Sequence, residues 1–201
     1  IKEEIPRPKV NYDPNFVDNP DELLSRLLAH TGWERRSDAP RGELFLSDVL
    51  EPYTYGRGNG RRTYHPHPLP PRVQKLRRAI GSLLGTWHEA IFLNRYDGGD
   101  RGLASANRDH LGWHADDSPE MDHARPIAVV SLGAVRCLEF CHKSNDTKAI
   151  GAVQRQELAS GSLLVMRAGM QREWVHRVPK AGHLVGVRVS LTFRGHLAGV
   201  A

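Results

Sequence analysis

The sequence contains only two cysteines, Cys137 and Cys141, among its 201 residues. If both lie on one strand, they sit roughly 13 Å apart, which is too far for a disulfide between them. A zinc site needs more ligands than this pair and nearby His142 provide. We therefore expect two reduced, at least half-buried thiols in an intracellular protein, cytoplasmic or, in a eukaryotic cell, nuclear.

Long apolar runs are also missing. No stretch of about eighteen apolar residues occurs, so the sequence predicts no transmembrane helix, and residues 1–6 lack the apolar centre of a signal peptide. With 39% hydrophobic and 25% charged residues, the chain has the composition of one globular domain with a core of its own. A membrane protein and a disulfide-rich scaffold are therefore not expected.

The charge is biased towards the positive sign, with 28 basic against 23 acidic residues and a formal net charge of +5. Several arginines occur in adjacent pairs: Arg35-Arg36, Arg61-Arg62 and Arg77-Arg78. Arginine binds phosphate with parallel hydrogen bonds and stacks on planar rings, so this bias favours a polyanionic partner such as nucleic acid. An ordinary solvated surface explains the charge alone equally well.

Two amphipathic helices precede a half of the chain that is rich in short strands. Residues 20–28 have a leucine stripe behind a predicted cap at Asn19, and residues 71–84 repeat apolar positions at intervals of three and four. The predicted strands cover residues 88–96, 126–133, 136–142, 151–159, 161–167, 172–178 and 184–194. This order predicts an α+β fold in which a jelly roll, or double-stranded β-helix, is buttressed by N-terminal helices.

Residues 51–71 are punctuated by glycine and proline and carry three tyrosines and three arginines. We interpret this segment as a substrate lid, because long loops in compact domains are usually functional or disordered. Its candidates for stacking on a base are Tyr55 and Tyr64. Its candidates for phosphate contact are Arg57, Arg61 and Arg62. A plain surface connection is the alternative.

Two histidines and one aspartate have the composition of a metal site. His114 and Asp116 lie two residues apart on a predicted extended segment, so their side chains converge, and His176 comes from a distant strand. Two imidazoles and one carboxylate form the facial ligand set of non-haem Fe(II) proteins that activate oxygen. We expect His110 and His123, which flank this pattern, to be loop residues rather than ligands. A zinc hydrolase with the same triad is an alternative, but it gives no role to the arginines that follow.

The last predicted strand alternates cleanly between two faces. Val189, Leu191 and Phe193 share one face, and the other face holds four polar residues, namely Arg188, Ser190, Thr192 and Arg194. If the polar face turns into the jelly roll, its arginines need anionic partners, since an unpaired buried charge is costly. A dicarboxylate and a metal-bound aspartate would provide them. Asn94 and Tyr96, at the end of an earlier strand, also point together and can hydrogen-bond carboxylate oxygens. An exposed polar face is the alternative.

Together these patterns resemble the AlkB family of Fe(II)/2-oxoglutarate dioxygenases. The likeness covers residues 88–195, with a weaker match at 53–64. It is carried by Leu93-Asn94-Arg95-Tyr96, by Leu111-Gly112-Trp113-His114-Ala115-Asp116-Asp117, by residues 126–133 and 161–166, by Trp174 to Lys180, and by the Arg188 to Arg194 strand. The resemblance implies one dioxygenase domain over residues 1–201, with helices and lid in 1–87 and the jelly-roll catalytic core in 88–195.

The resemblance also implies roles for these residues. His114, Asp116 and His176 bind iron and, with Arg194, form the catalytic set. Arg188 pairs with the distal carboxylate of 2-oxoglutarate, and the residues near this co-substrate are Asn94, Tyr96, Ser190 and Arg194. Our own candidates for substrate binding, which the resemblance does not fix, are Tyr55, Arg57, Arg62, Tyr64, Trp113 and Asp117. The position four residues after the first iron histidine, often acidic in the family, is Ser118 here.

The implied reaction uses oxygen and 2-oxoglutarate to hydroxylate an N-methyl group on a nucleobase, and it releases succinate, carbon dioxide and formaldehyde. The base is flipped out of a duplex or already single-stranded, because a stacked base cannot reach the iron. We expect a monomer whose partner is nucleic acid and which makes no membrane contact. The alternatives are a dioxygenase that hydroxylates a protein or small molecule, and a jelly roll that binds nucleic acid without catalysis.

Overall fold

The computed structural model describes residues 7–36, 39–55, 61–97, 109–145, 152–181 and 185–197. Within these ranges the helices are α1 (Pro20–Leu28), α2 (Pro71–Leu84) and the single-turn α3 (Met170–Glu173). The strands are β1 (Val10–Asp13), β2 (Gly42–Ser47), β3 (Tyr53–Tyr55), β4 (Arg62–Tyr64), β5 (Ala90–Tyr96), β6 (Leu111–His114), β7 (Ile127–Gly133), β8 (Arg136–His142), β9 (Val153–Leu158), β10 (Ser162–Met166), β11 (Trp174–Val178) and β12 (Arg188–Arg194).

These strands pair in antiparallel fashion. The larger sheet has the order β1-β10-β7-β12-β5-β2, and the smaller has the order β6-β11-β8-β9. Strands β3 and β4 form a separate hairpin. Strand β12 lies between β7 and β5, and β11 lies between β6 and β8, so most neighbouring strands are distant in sequence. The arrangement confirms the predicted α+β jelly roll.

The two N-terminal helices pack on one face of the larger sheet. Helix α1 begins with Pro20, which suits the first helical position, and buries Leu23 and Leu27. Helix α2 buries Val73 and Ile80 in the same apolar cluster, together with Leu191 and its neighbours in the sheet. Burial of these leucine and isoleucine side chains stabilises the fold by roughly 1.5–3 kcal/mol each relative to exposure.

The ends of the helices differ in how they are capped. Asn19 precedes α1 with a left-handed backbone (φ 51°), and its side chain makes no capping hydrogen bond, so the predicted side-chain cap is wrong. Helix α2 ends at Gly85 with φ 63°, where the Gly85 N–H donates to the Gly81 carbonyl. Glycine is favoured at such a left-handed terminus because it has no Cβ.

Strand β12 shows how the alternation of its sequence divides the core. Val189, Leu191 and Phe193 face the helices and are fully buried. The polar residues of the other face are buried as well, between the two sheets: Arg188, Ser190, Thr192 and Arg194. The polar face therefore turns inward, as the jelly-roll interpretation requires, and not towards solvent.

Several segments differ from the expectation. The predicted strand at 172–178 begins with residues of α3, and β11 starts only at Trp174. Strands β1 and β2, which pattern alone did not reveal, join the edges of the larger sheet, so this sheet includes residues from both sides of position 87. Part of the predicted lid, residues 53–55 and 62–64, is the β3–β4 hairpin, while residues 56–60 lie outside the described part.

The two cysteines agree with the expectation from the sequence. Cys137 is half-buried and Cys141 is buried, and both are free thiols on strand β8. None of the helices in the described ranges has the length and apolar character needed to cross a membrane.

Candidate metal and co-substrate site

Strands β6 and β11 bring the two histidines of the triad side by side. His114 is the last residue of β6 and pairs across the smaller sheet with His176 of β11. Asp116 follows β6 and is buried. Its Oδ1 lies 3.8 Å from His114 Nε2 and its Oδ2 lies 3.8 Å from His176 Nε2. The three donor atoms all fall within 4.8 Å of one another, close enough to bind a single ion.

The protonation of these groups suits a metal. Burial lowers the pKa of His114 and lowers that of His176 to about 3, so both imidazoles are neutral near pH 7. Burial acts to raise the pKa of Asp116, but Arg194 and the two histidines hold it below its usual value. Neutral imidazoles and an ionised carboxylate are the forms that ligate metals. The Nδ1 of His114 also donates to the Gly112 carbonyl at 2.9 Å, which directs its Nε2 towards the site.

Asp116 keeps one oxygen available for an ion. Arg194 donates a short hydrogen bond to its Oδ1. The Oδ2 atom is buried and has no hydrogen-bond partner among the described residues. A buried acceptor without a partner costs about 1–3 kcal/mol, and a cation at this position removes that cost. The donor set, its burial and this oxygen therefore fit a divalent metal.

Arg188 gives the cavity a buried cation that lacks an anionic partner. Its side chain is fully buried, its Nε donates to Ser131 Oγ at 2.8 Å, and its guanidinium carbon lies 5.0 Å from the centre of the Tyr96 ring. Burial lowers the pKa of Arg188, and nearby Arg136 acts in the same direction. Within the described ranges no carboxylate pairs with Arg188, and its Nη1 lacks a hydrogen bond. A buried cation of this kind fits the carboxylate of a bound dicarboxylate.

Strand pairing aligns the remaining co-substrate candidates with Arg188. Tyr96 of β5 lies opposite Arg188 on β12, and Asn94 lies opposite Ser190. Together with the triad and Arg194, they line one cavity of about 370 Å³ between the sheets. Arg188 and Arg194 are the two ends of β12, and Arg194 bonds to Asp116 of the triad, so the cavity suits an elongated anion that reaches from Arg188 to a metal.

A second cavity of about 360 Å³ adjoins the first. The residues that line both are Asn94, Leu111, His114, Asp116 and Arg194. The residues that line only the second are Arg41, Tyr53, Tyr64 and Phe92. We call the second cavity the aromatic chamber. The Tyr64 ring centre lies 4.8 Å from that of Phe92 and 6.3 Å from that of Tyr53, so its wall is a cluster of packed rings. Such a wall suits a flat ligand.

The β3–β4 hairpin beside the aromatic chamber is held by contacts with the buried carboxylate of Glu43. Glu43 on β2 is almost fully buried and accepts a hydrogen bond from the Tyr64 hydroxyl at 2.8 Å. It also pairs with Arg41 at 2.7 Å and with Arg62 at 3.4 Å. Burial, with Glu43 beside it, raises the pKa of Tyr64. Tyr64 therefore lines the chamber, whereas Arg62 is engaged with Glu43.

The other predicted substrate residues lie apart from the chamber or outside the described residues. Trp113 is on the face of β6 opposite His114 and stacks with Arg177, whose guanidinium carbon is 4.5 Å from the ring centre. The Asp117 side chain is 57% exposed and lies 3.6 Å from Lys143 Nζ. Arg57 lies outside the described residues, as does the Tyr55 side chain. The flanking histidines, His110 and His123, are not part of the metal cluster found among the described residues.

Five residues around the cavities were not predicted from sequence: Arg41, Glu43, Tyr53, Phe92 and Gln171. Glu43 alternates with Leu44 and Leu46, so a strand prediction at 42–47 would have placed it on the face opposite the helix-packed leucines. Gln171 lies on the single turn of α3, for which no periodic signal exists.

Gln171 tethers the backbone of the aspartate ligand. Its Oε1 accepts the Asp116 N–H at 3.0 Å, and its side chain is buried. We expect Gln171→Leu to weaken metal binding by roughly 10- to 100-fold, the usual cost of removing a group that orients a ligand. Titration with Co(II), followed by its visible absorption, measures this affinity. The matched control is Gln156→Leu on β9. Equal affinity in the wild type and the Gln171 variant would refute the tether.

The chain belongs to the 2OG-Fe(II) oxygenase superfamily, whose family model matches residues 18–194. That range includes both cavities and the whole triad. The metal and the dicarboxylate that the cavities fit are thus Fe(II) and 2-oxoglutarate, with O₂ as the oxidant.

Individual relatives place the chain among AlkB-like proteins, which confirms the resemblance. Human "DNA oxidative demethylase ALKBH2" is 32% identical over 174 residues, which cover 85% of this chain and 61% of that protein. Human "Alpha-ketoglutarate-dependent dioxygenase alkB homolog 3" is 30% identical over 195 residues, which cover 90% and 64%. The chain therefore spans about six tenths of the length of these relatives.

A solved structure supports the fold independently. The structure of OsALKBH1 matches with a TM-score of 0.62 over 96% of this chain and 99% of that chain. The sequence identity is 18%, so this match bears on the jelly roll and not on the substrate.

Proposed function

We propose that this chain is an Fe(II)/2-oxoglutarate-dependent oxidative demethylase of N-alkylated nucleobases in DNA or RNA. The observation that carries the proposal is the pair of adjoining cavities that share two of the three triad residues, His114 and Asp116. One contains a buried arginine without an anionic partner, and the other is walled by aromatic rings. The names of the human relatives, a DNA oxidative demethylase and a 2-oxoglutarate-dependent dioxygenase, support the same activity.

In this proposal each cavity has its own task. Arg188, with Tyr96 and Ser190 beside it, binds the distal carboxylate of 2-oxoglutarate, while Asn94 and Arg194 orient the end near the metal. His114, Asp116 and His176 hold the iron. Bound iron and 2-oxoglutarate would supply the oxidation, in which one atom of O₂ enters succinate as CO₂ leaves and the other converts the N-methyl group to a hydroxymethyl group.

The aromatic chamber positions the substrate. Tyr64 and Phe92 present ring faces and edges to a flat base, and His114 and Asp116 form the floor that the chamber shares with the metal site. A base inside the chamber must have left its stack, so the substrate is single-stranded or flipped. Buried aromatic walls exclude water, which protects the reactive centre from side reactions. The hydroxymethyl group then leaves as formaldehyde, and its hydroxyl proton returns to the base nitrogen.

The alternatives explain less of the site. A zinc hydrolase would use the triad but leave Arg188 buried and unpaired, and a non-catalytic jelly roll would not need neutral imidazoles arranged around a carboxylate. A dioxygenase acting on a protein or small molecule would share the metal and co-substrate cavity. The ring-walled chamber and the net charge of +5 favour nucleic acid over these substrates.

We further propose that the enzyme is a monomer that acts where nucleic acids are found, in the cytoplasm or, in a eukaryotic host, in the nucleus. Its partner is the nucleic acid substrate.

Mass spectrometry of methylated oligonucleotides tests this function. Single-stranded DNA and RNA carrying N-methylated bases, 1-methyladenine among them, are incubated with protein, Fe(II), ascorbate and 2-oxoglutarate. We expect a loss of 14 mass units, the replacement of CH₃ by H, that requires both iron and 2-oxoglutarate. Succinate release without loss of any methyl group across the set would contradict demethylation and point to a protein or small-molecule substrate.

A further inference from the structure

We propose, resting on the demethylase function above, that the aromatic chamber selects uncharged bases in which carbonyl groups flank the methylated nitrogen. The bases 3-methylthymine and 3-methyluracil are of this kind. Bases that become cations on methylation and present an amino group, such as 3-methylcytosine, fit less well. The residues that carry this inference are Arg41, Glu43, Asp117 and Ser118.

Among the described residues, the chamber wall contains cations but no carboxylate that is free of other partners. Its charged lining residues in the described ranges are Arg41, Arg194 and Asp116. Asp116 is engaged by Arg194 and belongs to the metal site. A cationic base would therefore meet the guanidinium of Arg41 without a compensating negative charge, and like charges at close range are unfavourable in a buried site.

Glu43 does not supply the missing negative charge. It is buried behind Arg41 and Tyr64, and it does not line the chamber. Both of its oxygens are occupied, one by Arg41 and Arg62 and the other by the Tyr64 hydroxyl. With two arginines beside one carboxylate, this network remains cationic.

The segment that follows Asp116 does not supply a carboxylate to the aromatic wall either. Asp117 is largely exposed and pairs with Lys143. Ser118 instead contacts the aromatic wall, since its Oγ is 3.4 Å from the hydroxyl of Tyr53. The side chain that this segment presents to the aromatic wall is therefore neutral.

Arg41 is placed to donate to carbonyl oxygen. Its Nε donates to Asn94 Oδ1 at 2.7 Å and its Nη2 pairs with Glu43, which fixes the guanidinium in the wall. A third, longer bond runs from Nη1 to the His110 carbonyl at 3.5 Å. A guanidinium has five N–H groups, so donors remain for a ligand. Carbonyl groups accept such bonds, whereas the amino group of a methylated cytosine or adenine repels them.

Neutral imide bases also suit the chemistry. After oxidation, the hydroxymethyl group on the ring nitrogen loses formaldehyde, and its hydroxyl proton moves to that nitrogen. The imide N–H is thereby restored, and the charge of the base does not change. The chamber does not have to accommodate a cation at any stage.

A competition between two lesions tests the inference. Two single-stranded oligonucleotides that differ only in carrying 3-methylthymine or 3-methylcytosine are mixed with the iron- and 2-oxoglutarate-loaded enzyme, and loss of each methyl group is followed by mass spectrometry. We expect kcat/KM for 3-methylthymine to exceed that for 3-methylcytosine by about tenfold or more, as for one lost charge-assisted contact. A preference for 3-methylcytosine would overturn the inference and leave the demethylase function standing. Loss of neither methyl group, nor of any in the wider set, would overturn both.

Two variants test whether the wall of the aromatic chamber sets the preference for 3-methylthymine. Arg41→Gln removes the cation, and Ser118→Glu adds an acid beside Tyr53, so both should shift the ratio towards 3-methylcytosine. Arg155→Gln, on the exposed surface of β9, is the matched control and should leave the ratio unchanged. If the ratio is the same in the wild type and in both chamber variants, the wall does not set the preference and the inference fails.

Discussion

Replacing His114 with alanine should abolish turnover while leaving the fold intact. The imidazole stands at the end of β6, is partly exposed, and makes one hydrogen bond, to the carbonyl of Gly112. Its removal takes away one of the three metal donors. Activity should fall by more than about 100-fold, because loss of even a group that only orients a ligand costs roughly 10- to 100-fold. Methyl release and Co(II) binding should fall together, while the thermal unfolding midpoint stays close to that of the wild type.

The matched control is His123→Ala, which removes a nearby histidine that lies outside the metal cluster. Full activity in the His114 variant, or equal loss in the His123 variant, would contradict the assignment. Asp116→Ala should also abolish turnover, but it is a less clean test of the metal. Asp116 pairs with Arg194, and breaking a buried pair by removing one partner costs roughly 3–5 kcal/mol of stability.

Replacing Arg188 with methionine should raise the 2-oxoglutarate concentration needed for half-maximal activity by about 30-fold or more. Losing one partner of a buried charge pair costs about 2 kcal/mol or more, which corresponds to that factor. The structure adds a second expectation. Because Arg188 is buried and no carboxylate among the described residues pairs with it, the variant should be at least as stable as the wild type when 2-oxoglutarate is absent.

Thermal unfolding separates these two effects. With Mn(II) in place of iron, 2-oxoglutarate should raise the unfolding midpoint of the wild type, since a ligand that binds only the folded state stabilises it. The Arg188→Met protein should show little of this increase, and Arg155→Met should show all of it. An unchanged co-substrate requirement in the Arg188 variant would remove this residue from the binding site.

The triad and the polar strand were predictable because their signals are local. His114 and Asp116 lie two apart on an extended segment, and the alternation of β12 separates Val189 and Leu191 from Arg188 and its polar neighbours. Such two-residue periods are set by strand geometry and do not depend on the rest of the fold. The same rule also places Trp113 on the face of β6 opposite His114, away from the chamber where base stacking was expected.

The aromatic chamber was harder to predict because its walls come from segments that are distant in sequence. Arg41 reaches Asn94 across 53 residues, and Tyr64 reaches Glu43 across 21. Strand β2, which contains Glu43, lies at the edge of the larger sheet and pairs there with β5, which is distant in sequence. Contacts of this kind follow from tertiary pairing, for which a single sequence holds no periodic signal.

The most direct test of the central claim is a mass balance with isotope-labelled oxygen. The enzyme is incubated with Fe(II), 2-oxoglutarate and a methylated oligonucleotide under ¹⁸O₂, and formaldehyde, succinate and demethylated base are quantified together. An oxidative demethylase should give the three products in equal amounts, with one ¹⁸O atom in each succinate. Demethylation that proceeds without oxygen and without labelled succinate would contradict it.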